Sequence, residues 1–121
     1  MLFEGGAGHI VDILHLPNVP RGEVGPGTIH HVAFRTREEA DLPEWQDCLK
    51  SANLEVTNIR DRKYFHSIYV DEPGGALIEI ATDSPGFMVD ESLAELGSRL
   101  QLPPRLEPDR DAIVQNLPGL E

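Results

Sequence analysis

Five residues, Asp71-Glu72-Pro73-Gly74-Gly75, constrain the fold most. They separate two runs of strand-forming residues, Tyr64 to Val70 and Ala76 to Ala81, and their Pro-Gly-Gly punctuation is that of a hairpin turn. Strands joined this tightly pair antiparallel, because a parallel return needs a crossover of a dozen or more residues. A third run, Thr28 to Arg35, also reads as a strand. Its period of two puts His30, Val32 and Phe34 on one face and Ile29, His31, Ala33 and Arg35 on the other.

The stretch between residues 35 and 64 supplies the crossover. Thr36 is placed to cap a helix, with Glu39 three residues on to complete a capping box. The helix is expected over Arg37 to Ala52, with Pro43 pulling its start towards Asp41 because proline is tolerated only in a first turn. Leu42, Trp45, Leu49 and Ala52 recur at helical spacing as its buried stripe, and Cys48 beside them reads as a buried, inert thiol. Glu55 to Arg60 reads as a further strand and Asp61-Arg62-Lys63 as a polar turn. The order over residues 28–83 is therefore β-α-β-β-β, an α+β module.

Residues 1–27 are expected to hold an extra N-terminal strand (His9 to Leu16) and a linker rich in proline and glycine. Residues 84–121 are expected to form a helical C-terminal tail. Ser84-Pro85-Gly86 should end the sheet, Glu91 to Leu100 should be a short helix with Asp90 as its cap, and Pro108 to Leu117 a second helix with Ile113, Val114 and Leu117 facing inward.

Charge narrows the function classes. The 121 residues carry a net charge of −11 with no basic run, which excludes nucleic-acid backbones and anionic membrane surfaces as partners. The single cysteine rules out an intramolecular disulfide and suits a reducing cytoplasm. Met1-Leu2-Phe3-Glu4-Gly5-Gly6 lacks the basic and apolar segments of a secretory signal, and no apolar run approaches the ~20 residues of a membrane span. A cytoplasmic location is the expectation.

If Val32, Phe34, Ile68, Val70, Ile78 and Ile80 form the helix-covered face, then His31, Ala33, Phe65, Ser67, Tyr69, Leu77, Glu79 and Ala81 share the other. A histidine, a tyrosine and a glutamate then open on a common space, which a plain core face would not choose. His31 and Glu79 suit two readings equally: ligands of a divalent Fe, Mn, Zn or Ni ion, or a hydrogen-bonded pair that satisfies itself. His9, His15 and His66 fit no motif and read as surface or structural residues.

The strand Gly27-Thr28-Ile29-His30-His31-Val32-Ala33-Phe34-Arg35 and the hairpin running from Asp71 through Gly86-Phe87 resemble the vicinal-oxygen-chelate superfamily of glyoxalases, bleomycin-resistance proteins and extradiol dioxygenases. Within it the chain is most similar to the C-terminal module of ring-cleaving dioxygenases that act on hydroquinones. Phe87-Met88-Val89-Asp90-Glu91 and Leu102-Pro103-Pro104-Arg105-Leu106-Glu107 resemble that group's C-terminal segment. The resemblance implies that His31 and Glu79 are metal ligands and that His30, Arg62 and Tyr69 are catalytic residues around the substrate. It also implies Fe(II) as cofactor, with Mn, Zn or Ni as alternatives, and a small aromatic substrate with O₂. Each of the three catalytic candidates has a plainer reading: His30 as a core histidine, Arg62 as a solvated charge, Tyr69 as a core tyrosine with its hydroxyl bonded.

Members of that group are two to three times longer and take a further ligand histidine from an earlier module. The chain holds one complete module and supplies two of the three expected ligands. Two copies paired about a two-fold axis, or a second module from elsewhere, would cover the open sheet face and complete a site. Three functions follow: a metal-dependent ring-cleaving dioxygenase or its C-terminal part, a homodimeric glyoxalase-type metalloprotein, and a non-catalytic small-molecule-binding remnant.

Overall fold

The computed structural model describes residues 11–118 apart from 13 and 21. Strands β1 (Val32–Thr36), β2 (Arg60–Asp61), β3 (Phe65–Asp71) and β4 (Leu77–Pro85) form one sheet, with helix α1 (Asp41–Ser51) between β1 and β2. A short helix α2 (Arg110–Asn116) lies in the tail. The strand order is β1-β4-β3-β2, with β1 parallel to β4 and the remaining pairs antiparallel. The order of elements is the α+β module expected from the sequence.

The β3–β4 hairpin closes on the Glu72 side chain. Its carboxylate accepts the N–H groups of Gly74 at 2.8 Å and Ala76 at 2.7 Å. A side chain at position 74 would put its Cβ 2.6 Å from a Glu72 oxygen, and Gly75 sits at φ 97°, where only glycine is relaxed. The turn thus sets the β3–β4 register that pairs Tyr69 with Glu79.

Helix α1 starts at Asp41, four residues later than the capping box predicts. The Asp41 carboxylate accepts the Thr36 hydroxyl at 2.9 Å and the Glu38 N–H at 3.1 Å, so Thr36 ties strand to helix instead of capping it. Ala40 occupies the cap position without a side-chain bond, and Pro43 falls in the first turn. At the far end Asn53 takes φ 60° and Leu54 N–H reaches back to Leu49 O at 3.1 Å, a left-handed helix stop.

The core is small. Among the described residues Leu42, Ile68, Val70 and Ile80 are its buried apolar side chains, and Trp45 and Leu49 pack against it. Three expectations for this layer are corrected. Cys48 is exposed on the flank of α1, and Ala52 is exposed because α1 ends at Ser51 and Ala52 is its C-cap. Val32 and Phe34 are 49% and 40% exposed, because β1 is an edge strand and α1 packs against β3.

Elsewhere the chain is less regular than its pattern suggests. Of the strand expected at residues 9–16, positions 9, 10 and 13 lie outside the described residues, and the others form no strand. The strand expected over Glu55 to Arg60 shrinks to a bridge between Val56 and Val70 and to β2. Thr57 Oγ1 there accepts the Tyr69 N–H at 3.0 Å. Strand β4 runs through Pro85. Glu91 to Leu100 forms turns, not a helix; Leu93 is 75% exposed, and a short helix without a surface to bury its stripe is marginal. Near the C-terminus a 3-10 turn (Pro104–Asp109) precedes α2, on which Val114 is exposed and Ile113 half-buried. No helix among the described residues is long and apolar enough to cross a membrane.

The tail is moored through Asp90. Its carboxylate accepts the Tyr64 hydroxyl at 2.6 Å and pairs with Lys63 Nζ at 2.5 Å, while Phe87 packs on the Tyr64 ring at 5.1 Å. The bond from Lys63 and then that from Tyr64 hold the Asp90 carboxyl below its ordinary 3.8; the bond to Asp90 raises Lys63 and Tyr64. A lowered carboxyl stabilises the folded state above its ordinary value and stops doing so as pH falls through its folded value. Raised groups stabilise below their ordinary values and stop as pH rises through their folded values. Mooring is therefore expected to weaken below pH 3.8 and again at alkaline pH, and Asp90→Asn to flatten both limbs. Phe87 amide signals followed across pH check this; an unaltered profile in Asp90→Asn would refute it.

Candidate functional site

Register builds the site. Across the sheet Ala33 pairs with Glu79 and Glu79 with Tyr69, so strands β1, β4 and β3 set the three in one row. Glu79 is 3% exposed and His31 sits just before β1. His31 Nε2 lies 3.0 Å from Glu79 Oε2, and the Tyr69 hydroxyl donates to Glu79 Oε1. Arg62 Nη2 donates to the Tyr69 hydroxyl at 3.2 Å, with its Cζ 5.3 Å from the ring centroid. A carboxylate buried this far needs partners for both oxygens, and it has them.

All five candidate residues come together. His30 does so against the alternation argument, which put it on the face opposite His31. Its Nδ1 is 2.9 Å from His31 Nδ1 and the two rings meet edge to face. The reason is that β1 begins at Val32, so residues 30 and 31 are not bound by the strand period. His15 is exposed, His66 stands 3.6 Å from Glu39, and His9 lies outside the described residues.

Sequence reading missed Arg60. Its guanidinium also lies over the Tyr69 ring, with Cζ 5.7 Å from the centroid. The signal was available: Arg60 and Arg62 are two apart, and β2 pairs Arg60 with Ser67, which shares the face of Tyr69.

The donor set suits a divalent ion in part. Two ligands ~2.1 Å from one ion and at right angles stand ~3.0 Å apart, and His31 Nε2 and Glu79 Oε2 are 3.0 Å apart. Tyr69 engages the other carboxylate oxygen, which leaves Oε2 for an ion, and the His30 ring is the neighbour that His31 Nδ1 requires. Among the described residues no group of three or more His, Cys, Asp or Glu converges, so these residues bring together two candidate ligands here and not a full set.

This four-stranded α+β fold, with a His-Glu pair on its sheet, is that of a glyoxalase-type module. Residues 1–80 match the family model of the Glyoxalase/Bleomycin resistance protein/Dioxygenase superfamily, and the chain belongs to that family. It is 48% identical over 113 residues to MhqE of Bacillus subtilis, named as a candidate ring-cleaving dioxygenase, covering 93% of this chain and 37% of that protein. It is 39% identical over 120 residues to the chlorohydroquinone/hydroquinone 1,2-dioxygenase of Sphingobium indicum, covering 93% of this chain and 36% of that protein. The crystal structure of a candidate dioxygenase from Bacillus subtilis superposes with a TM-score of 0.77 at 45% identity, over 85% of this chain and 33% of the other. The chain thus spans little more than a third of the length of the relatives it matches.

Proposed function

We propose that this chain is the metal-binding module of a ring-cleaving, extradiol-type dioxygenase acting on hydroquinone-like aromatics. The observation that carries the reading is the His31–Glu79 pair at 3.0 Å with Tyr69 and Arg62 beside it. Relatives named for ring cleavage, one of them for hydroquinone, support it. Fe(II) is the ion of choice for a histidine and a carboxylate with open positions, with Mn, Zn or Ni as alternatives. When bound, it supplies positions for a hydroquinone oxygen and O₂. The remaining ligand comes from a partner: a second module or a second copy of this chain in a homodimer.

The chain's own residues bind and orient. Tyr69 holds Glu79 in place through one oxygen, and Arg62 fixes the Tyr69 hydroxyl. That hydroxyl and the His30 ring are placed to exchange protons with a ring hydroxyl, and Arg62 offsets negative charge as it develops. The self-satisfied bonding of Glu79 favours the rival reading, a metal-free binding module. Metal analysis of the purified protein decides between them. About one Fe or Mn per site, with O₂ uptake on adding hydroquinone, is expected. Protein without stoichiometric Fe, Mn, Zn or Ni would overturn the metalloenzyme reading.

A further inference from the structure

The basic groups of this chain are outnumbered, 10 Lys and Arg against 21 Asp and Glu. Arg35, Lys63, Arg99 and Arg110 all hold a carboxylate. Arg37, Lys50, Arg105, Arg60 and Arg62 make no ion pair among the described residues, and of these five it is Arg60 and Arg62 that stand at the candidate site. Both instead lie against one aromatic ring, at 5.7 and 5.3 Å from the centroid of Tyr69. Arg62 spends a donor on the Tyr69 hydroxyl; Arg60 makes no hydrogen bond to protein among the described residues, which leaves the planar fork that matches a carboxylate open.

Position gives this a direction. In the order β1-β4-β3-β2, Arg60 lies two strands from Glu79; it pairs with Ser67, two residues along β3 from the Tyr69 that pairs with Glu79. Two strand spacings across and two residues along put the positions ~11.5 Å apart, a gap that a substituted six-membered ring and an arginine side chain bridge together. A ring whose hydroxyl faces His31 and Glu79 thus presents its far substituent to β2. A neutral hydroquinone leaves a full positive charge there without a counterpart.

We propose that Arg60 is a specificity-determining residue and that the site prefers a dihydroxylated aromatic ring bearing an anionic substituent, a carboxylate or sulfonate, over the neutral ring. This rests on the ring-binding reading of the site and adds the class of substrate to it.

Anaerobic NMR titration of the chain with 2,5-dihydroxybenzoate and with hydroquinone tests it without requiring metal or turnover. Both probes are expected to shift signals of Tyr69 and Arg62, with the carboxylated ring binding roughly 10-fold tighter, the scale of one charge-assisted contact. Arg60→Gln should bring the ratio of the two affinities to within about 2-fold. Lys50→Gln, which removes an exposed positive charge on α1, should leave the ratio as it was. Equal affinities in the parent chain, or an unchanged ratio in Arg60→Gln, would overturn the role of Arg60 while the shifts at Tyr69 upheld ring binding. If neither probe moves Tyr69 or Arg62, both the role of Arg60 and the ring-binding reading fall.

Discussion

On the proposed metal-site reading, Glu79→Gln is expected to lower metal affinity by at least ~100-fold while leaving the fold in place, because it removes the proposed carboxylate ligand outright where loss of a mere outer partner costs ~10–100-fold. Glutamine keeps the shape and one acceptor oxygen. That oxygen still takes the Tyr69 hydroxyl, and the new amide N–H faces the His31 Nε2 that now meets Glu79 Oε2. Both buried contacts survive in neutral form, so the cost to stability should stay near ~1 kcal/mol. The charge that an ion needs does not survive. Metal content after dialysis against a defined Fe(II) or Mn(II) buffer, measured beside thermal unfolding, checks both halves. A variant that unfolds but keeps its metal would show Glu79 to be structural.

Leu42→Ala is expected to destabilise the chain by ~2–5 kcal/mol, the range for a large-to-small change at a buried site. Leu42 is fully buried and touches Ile68 and Ile80 at the centre of the only core cluster among the described residues. Its neighbours on α1, Trp45 and Leu49, are only partly buried, so little apolar surface is available to close over the cavity. A core this small leaves few kcal/mol to spare, and the variant should unfold at markedly lower urea with the same slope. A loss under ~1 kcal/mol would mean that α1 does not pack on the sheet as described.

Strands β3 and β4, the hairpin turn between them and the face shared by Tyr69 and Glu79 were all legible in the residues. Each depends on local rules: turn chemistry at Glu72 to Gly75 and alternation along β3 and β4. Family resemblance, not spacing, pointed to His30 and Arg62 as neighbours of the pair. Alternation misplaced His30 because it was applied outside a strand, and Thr36 was read as a cap although its hydroxyl had a better partner in Asp41. The expected helix over Glu91 to Leu100 failed because helical spacing of leucines says nothing about whether a surface exists to receive them.

The sequence by itself determined the β3 and β4 strands, where the chain reverses between them, and which of their side chains face the same way, because these follow from bonded geometry and from turns a few residues long. Tertiary structure alone decided the rest. It placed β1 beside β4, which brings His31 to 3.0 Å from a glutamate 48 positions later, left Val32 and Phe34 open at the sheet edge, and gathered Arg60 and Arg62 on one tyrosine. Those outcomes depend on strand order and on what packs over each face, and contacts between distant segments are set by the whole chain's burial, which no local pattern records.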